Sequence, residues 1–384
     1  MESNWKNVNL GNYAKITMGQ SPESQFYNEE LNGIPFLQGS KTFGDIFPKI
    51  EKYTTKTTKL ASENSIIFSV RAPVGDVNIA PTELCIGRGL AALESRNNRF
   101  LYYLLKFNKF KYESYSSGTV FSSINKKSLE TMIVRIPNEK NQDKIAEILW
   151  NLDSKIELNN QIISNLEELA STLFKRWFVD FEFPDENGNP YKSSGGKMVD
   201  SELGEIPEGW EINPLSSIAK ITSGKRPDVK KTNPDKDNII PIVGASKIMG
   251  YTNQVLENGS IITTGRVGTH GIIQRYREKV WVSDNSFIIK SDTEEFLNQI
   301  LLRIDYKNLN RGSTQPLITQ TDLKKYKIIL PSSKFIEMFE SVISKLTECE
   351  FQIKKQNLNL EKIRDSLLPK LLSGEIELPE DEEV

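Results

Sequence analysis

Ala14-Lys15-Ile16-Thr17-Met18-Gly19 returns as Ala219-Lys220-Ile221-Thr222-Ser223-Gly224, and this return decides the fold. Trp5 and Pro22 flank the first copy and Trp210 and Pro227 the second, all at an offset of 205. Downstream, Ile34-Pro35-Phe36-Leu37-Gln38-Gly39-Ser40-Lys41 matches Ile240-Pro241-Ile242-Val243-Gly244-Ala245-Ser246-Lys247. Next, Glu63-Asn64, Ile66-Ile67 and Arg71 align with Glu257-Asn258, Ile261-Ile262 and Arg266. Last, Gly118, Ile124, Leu129 and Pro137 align with Gly312, Ile318, Leu323 and Pro331. A period near 200 is too long for a solenoid and fits a duplicated domain.

Residues 1–137 and 211–331 alternate short β-like runs, such as Ser65 to Val70 and Val280 to Lys290, with short helical stretches and turn residues, so both read as mixed α/β (α+β) domains. A different pattern follows each. Ile145, Leu149, Leu152, Ile156, Asn159, Ile163, Leu166, Ala170, Leu173 and Trp177 keep a four-three spacing, which predicts one long helix in 138–183. Phe335, Phe339, Val342, Leu346, Cys349, Ile353, Gln356, Leu360, Ile363, Leu367 and Leu371 predict a second in 332–376. A helix from Gln142 to Phe178 would run about 55 Å at ~1.5 Å per residue, more than one such domain can cover. The two helices should therefore pair as an antiparallel coiled coil, with Asn159 and Gln356 as polar seam positions that fix register if they find partners. Residues 184–210 are rich in turn formers and read as a linker, and 377–384 read as a solvated acidic tail.

The chain has 384 residues and a net charge of −2, a near-neutrality that hides segregation. Residues 1–137 carry 17 basic against 12 acidic side chains and 211–331 carry 18 against 12, while the helices, linker and tail are all anionic. Two cationic domains on anionic helices suit a protein whose domains meet a polyanion. Cys85 and Cys349 cannot make a disulfide framework or a cysteine zinc site and are expected as free buried thiols. The longest apolar runs fall far below the ~20 residues of a membrane span. With no leader pattern at Met1, a cytoplasmic protein with no membrane partner is expected.

Catalytic patterns are lacking. His270 is the single histidine, so triads and histidine metal sites are disfavoured; in Gly268-Thr269-His270-Gly271 it is expected hydrogen-bonded or solvated, with a phosphate or base contact as the alternative. Gly188-Asn189-Pro190-Tyr191 lacks one proline of the adenine-methyltransferase loop and has no Gly-rich cofactor loop upstream, and no phosphate-cradling Gly-x-x-x-x-Gly-Lys-Ser/Thr loop occurs. What remains is basic loops: Lys41, Arg71, Arg88, Lys126 and Lys127 in the first copy, and Lys225, Arg226, Lys247, Arg266, Arg275, Arg277 and Arg311 in the second. Such side chains can hold phosphates or fork onto guanine. For each, a solvated surface role is the alternative.

The chain resembles the DNA-specificity subunits of type I restriction-modification systems. The resemblance rests on the duplicated openings, with Glu205-Ile206-Pro207-Glu208-Gly209 before Trp210, and on Ser116-Ser117-Gly118-Thr119 with Arg311-Gly312-Ser313-Thr314. It rests also on the helix ends, Leu173 to Phe181 and Arg364 to Ile376. It implies two target-recognition domains, each reading one half of a split site on double-stranded DNA. The helices would dock two methyltransferase (modification) subunits, and restriction/translocase subunits would join through these. The chain itself would be non-catalytic and bind no cofactor, with S-adenosylmethionine, ATP and Mg expected on the partner subunits. If the half-sites differ, residues shared by both copies, the pairs Lys41/Lys247 and Arg71/Arg266, should hold phosphate or scaffold. Base reading should then fall to residues that differ: Arg88, Lys126, Lys225, Arg226, Arg275, Arg277 and Arg311. A coiled-coil scaffold whose basic faces bind an acidic protein is the alternative from another class.

Overall fold

The computed structural model describes residues 5–109, 112, 123–310 and 317–378. The chain divides into two compact units, Met1–Asn160 with Lys354–Val384, and Gln161–Ile353. The cut falls inside both long helices. Each unit holds one repeat copy, the start of that copy's own helix and the end of the other copy's helix.

In the first unit, β1 (Trp5–Asn9) pairs antiparallel with β8 (Ile133–Pro137). Strands β2 (Lys15–Met18), β7 (Leu90–Glu94), β4 (Ile66–Ser69) and β5 (Val77–Ile79) form a four-stranded sheet in that order. Its alternation divides two cores. Ile66, Phe68, Ala91 and Leu93 face the apolar side of helix α1 (Asn98–Phe107), whereas Ile67, Leu90 and Ala92 face Leu37, Leu84 and Ile86. The latter residues belong to β3 (Ile34–Leu37) and β6 (Leu84–Ile86), which pair in parallel. The Asn97 side chain caps α1 by accepting from the Phe100 amide at 2.9 Å.

The second unit repeats the plan. Strand β9 (Glu211–Pro214) pairs with β16 (Lys327–Leu330), and β10 (Lys220–Ser223), β15 (Ser286–Lys290), β12 (Ile261–Gly265) and β13 (Gln274–Tyr276) form the matching sheet. Strands β11 (Ile240–Val243) and β14 (Trp281–Val282) repeat the parallel pair. Helix α3 (Glu294–Leu301) takes the place of α1 but has no cap of its own. Instead the Glu340 carboxylate accepts from the amides of Phe296 (2.8 Å) and Glu295 (3.3 Å). Burial pushes the Glu340 carboxyl up to about 6 against the pull of those two amides.

Helix α2 spans Glu139–Phe174 and α4 Ser333–Ser373. Asn138 starts α2 by accepting from the Asn141 amide, and α4 ends on Gly374, at φ +79°, where an added Cβ would lie 2.8 Å from the Trp5 indole nitrogen. In the first unit the helix stretches run antiparallel: Asp153 meets Arg364 and Asn159 meets Asn357. In the second, Phe174 packs edge-on against Phe339. The α2 seam contains Ile145, Leu149, Ile156, Asn159, Ile163 and Ala170 as expected. The α4 seam does so only in part, through Phe339 and Leu371. Val342 is 45% and Ile363 48% exposed and Cys349 is exposed; the neighbouring Ile343 and Arg364 carry contacts instead, while Gln356, exposed, still accepts from Asn159 beside buried Asn357. Seven residues at 3.6 per turn fall about 20° short of two turns, so a heptad column drifts off the partner. Cys349 is accordingly an exposed thiol, while Cys85 is buried.

Residues 184–210, the expected linker, are packed rather than loose. Tyr191 stacks on Phe183 with ring centroids 4.6 Å apart, Met198–Val199 pairs with Ile206–Pro207, and Phe183 stacks on Trp210. Asn189, in the motif likened to a methyltransferase loop, gives its amide to Asp185, and the Tyr191 hydroxyl donates to the Lys197 carbonyl. The motif is structural. Among the described residues no helix is long and apolar enough to cross a membrane.

The best-defined link between helix and domain in the first unit is a buried triad. Asp153, 2% exposed at its side chain, accepts from Arg364 at 2.7 Å and from the Tyr103 hydroxyl of α1 at 2.7 Å. Removing one partner of such a pair strands a buried charge. Arg364→Ala is expected to lower the unfolding free energy by about 3 kcal/mol in chemical denaturation, and Asp153→Leu combined with Arg364→Met to recover most of that loss.

Candidate nucleic-acid interface

One rim of each unit collects the ends of its strands. In the first unit the amide of Gly19 donates to Leu90, that of Gln20 to Ile86, that of Gly87 to Leu37 and that of Val70 to Gly89. In the second, Gly224 donates to Ser286, Lys225 to Val282, Ser283 to Val243 and Arg266 to Asn285. The repeated glycine has a steric reason. A Cβ on Gly19 would lie 2.2 Å from the Gly87 carbonyl, and one on Gly224 2.2 Å from that of Ser283.

These matched hydrogen bonds place Arg88, Lys225, Arg226 and Arg266 among the predicted basic residues. Arg88 is exposed in the Gly87–Gly89 loop, with its amide 3.2 Å from the Ser21 hydroxyl. Lys225 and Arg226 are exposed just past Gly224, and the Lys225 carbonyl accepts from the Trp281 indole at 2.7 Å. Lys41 and Lys247 are exposed in the segments that leave β3 and β11. Arg71 is exposed past β4, where its backbone bridges Ser123. Exposed Lys126 and Lys127 open a short helix capped by Asn125, and Lys126 pairs with Glu130 at 3.5 Å. Arg311 lies outside the described residues, as do Ser116 to Thr119 and Gly312 to Thr314.

Three expectations change. Arg71 and Arg266 are not equivalent: Ile124 donates to the Val70 carbonyl as Ile318 donates to that of Arg266, and Ile66 pairs with Leu93 as Ile262 pairs with Ile289. Arg266 therefore corresponds to buried Val70, and Arg71 to Val267. Arg266 is half-buried with its Cζ 6.0 Å from the Phe287 ring centre. Arg275 and Arg277 also leave the set of free cations. The Arg275 side chain, 12% exposed, reaches Glu294 at 2.8 Å and Glu295 at 2.7 Å, with Thr347 of α4 at 3.4 Å. Burial draws its guanidinium down, and the two carboxylates more than offset this, holding it above its usual value. Arg277 pairs with Glu348 at 2.5 Å and covers the Phe351 ring at 4.0 Å. Both fasten the sheet edge and α3 to α4. His270 is half-buried and, among the described residues, neither ring nitrogen has a hydrogen-bond partner, contrary to expectation.

Reading by cation missed part of the rim. An open cavity in the second unit is lined by Arg226, Lys230, Ser283, Asp284 and Asn285, with Ile242 and Met249 below. Ser283 and Asn285 are neutral and Asp284 is acidic, so a search for positive charge passes over them.

A family model described as the type I restriction modification DNA specificity domain matches residues 2–168 and 207–361. The two matches cover most of the chain, which belongs to this family of DNA-specificity subunits. Its role there is DNA recognition rather than catalysis. A putative type I restriction enzyme MjaX specificity subunit from Methanocaldococcus jannaschii is 46% identical over 170 residues, 43% of this chain and 40% of that one. The type I restriction enzyme MjaIX specificity subunit of the same organism is 27% identical over 98% of this chain and 94% of its own. Among solved structures, the S subunit of a type I restriction-modification system from M. genitalium superposes with a TM-score of 0.65 at 18% identity, covering 96% of both chains, and shares the fold.

Because Arg275 holds Glu295 rather than solvent, Arg275→Ala should cost about 3 kcal/mol of stability while leaving the salt dependence of DNA binding unchanged. Arg226→Ala should leave the denaturation midpoint where it is.

Proposed function

We propose that each unit reads one half of a two-part DNA site through its strand-end rim, and that the long helices receive the methyltransferase subunits. The observation that carries this is the rim itself. One backbone scaffold occurs twice, held by the same hydrogen bonds, and presents different exposed side chains in each copy: Arg88 in one, Lys225 and Arg226 in the other. A shared frame with exchanged side chains is what two related but unequal half-sites require. Exposed Lys41, Lys247, Arg71, Lys126 and Lys127 supply phosphate contacts around the base-reading loops, and Arg266 supports the rim from beneath.

The helices carry exposed apolar side chains that their own pairing leaves uncovered: Ile148, Leu158, Leu358 and Ile363 in the first unit's stretches, Leu169 and Val342 in the second's. Patches of this kind on a helix suit a protein partner. Two modification subunits would dock here, and restriction/translocase subunits would join through them. S-adenosylmethionine, ATP and Mg would then belong to those partners, and the assembly would work where the chromosome is, in the cytoplasm.

Co-expression with the candidate modification subunit, followed by genome-wide mapping of adenine methylation by single-molecule sequencing, tests the reading. It predicts a two-part motif with a fixed unspecified spacer. A stable complex that binds S-adenosylmethionine yet leaves the genome unmethylated would contradict it.

A further inference from the structure

Besides Lys225 in place of Gln20, the two rims differ in charge at a structurally equivalent pair of positions. The first lies in the turn after the repeated glycine, Ser21 in the first unit and Arg226 in the second. The other lies between the sixth and seventh strands of each copy, Arg88 in the first unit and Asp284 in the second. The equivalence follows from the backbone: the flanking residues Gln20 and Lys225 both donate to the last residue of the preceding parallel strand, and Gly89 and Asn285 both accept from the residue that ends the central strand. The cation has therefore changed places, and the second unit has gained an acid where the first has its arginine.

Arg88, Arg226 and Asp284 are exposed, and among the described residues none of the three makes an ion pair or a side-chain hydrogen bond. Arg226 and Asp284 face one cavity without pairing to each other. An arginine beside an aspartate on a surface would gain by closing into a salt bridge, so their separation leaves a fork of donors and an acceptor both available to a third group. The floor points the same way. Ser283, 3% exposed, lines this cavity, and its hydroxyl has no hydrogen-bond partner among the described residues. A buried polar atom without a partner beside an open cavity calls for a polar ligand to complete it. The counterpart in the first unit is Gly87, which has no side chain to satisfy.

We infer that these paired positions are the base-reading elements that make the two half-sites unequal. Arg226 forks onto the O6 and N7 of a guanine while Asp284 accepts from the exocyclic amino group of a cytosine or adenine beside it. In the first unit Arg88 reads a guanine with only the Ser21 hydroxyl at its side. The chemistry follows from the major groove, where guanine offers two acceptors to an arginine fork and cytosine or adenine offers an amino donor to a carboxylate. A phosphate fits the second cavity less well, because Asp284 would face it with like charge. This inference rests on the half-site reading proposed above and names which residues carry it.

The test uses this chain in complex with its modification subunits. Duplexes carry the motif found by methylation mapping, with every single base-pair change through both halves, and binding is measured at several salt concentrations. Arg226→Ala should lower discrimination at one base pair of one half by roughly 5- to 150-fold, the range of a bidentate base contact. Asp284→Asn should relax the same or the adjacent pair, and Arg88→Ala should act only in the other half. The slope of affinity against salt should stay within one unit of the parent. Uniform weakening across all duplexes with a slope shallower by about one would make Arg226 a phosphate contact and overturn the inference. So would an unaltered motif in all three variants. A parent complex that prefers no duplex over another would sink the half-site reading itself, and this inference with it. All three side chains are exposed, so unchanged thermal unfolding is expected and separates loss of reading from loss of fold.

Discussion

In the first unit a layer of amides fixes the register of the two helix stretches. The Asn159 amide donates to Asn357 at 2.7 Å and to Gln356 at 2.9 Å, and Asn357 donates in turn to Asn160 at 2.8 Å. Asn159 and Asn357 are almost wholly buried. Sliding one helix by a heptad, about 10 Å at 1.5 Å per residue, would set Asn357 against Leu152 or Leu166 and Asn159 against Glu350 or Arg364, and the amide pairing would be lost. Each unsatisfied buried group would then cost about 1–3 kcal/mol. The same slip would separate Asp153 from Arg364. Apolar seam residues tolerate several registers; the amides and the ion pair tolerate one.

Each unit is composed in the same crossed way. The end of α4 reaches the first copy, where Leu371 and Leu372 join the core of Leu10, Leu149 and α1, and where Gly374 lets Trp5 close on the helix terminus. The end of α2 reaches the second copy in the same way: Phe174, Phe178 and Phe181 join Trp210, Phe296 and Phe339. The repeated tryptophans, which in the sequence mark only the start of each copy, thus serve one purpose twice, each packing beside the end of the other copy's helix. The ion pairs differ between copies while their function is kept. Tyr103, Asp153 and Arg364 bind domain to helix in the first unit, and Arg275, Glu295 and Thr347 in the second.

The duplication, the two helices and the positions of Arg88 and Arg226 could be read from residue spacing because each rests on a local rule. Where reading failed, local rules carry no phase. Central strands such as Ile66–Ser69 and Ile261–Gly265 are buried on both faces, so apolar residues follow one another without alternation, and nothing reveals that Ile66 corresponds to Ile262 rather than Ile261. The α4 seam is legible only in part for a related reason, since a four-three pattern fits two adjacent columns of a helix nearly as well. Arg275 and Arg277 could not be separated from free cations, because their partners Glu294, Glu295 and Glu348 come together only on folding. Asp284 and Ser283 carry no positive charge and so lie outside any pattern of basic loops, whereas base edges offer both donors and acceptors.

Exchanging residues 1–137 for the corresponding domain of a relative with a different half-site cuts the chain just ahead of Asn138, which caps α2, and leaves the amide layer whole. Methylation mapping of the chimera in complex with its modification subunits measures the outcome directly. A new sequence in one half of the motif, with the other half and the spacer retained, is the result this account predicts. A change in both halves, or in neither, would contradict it.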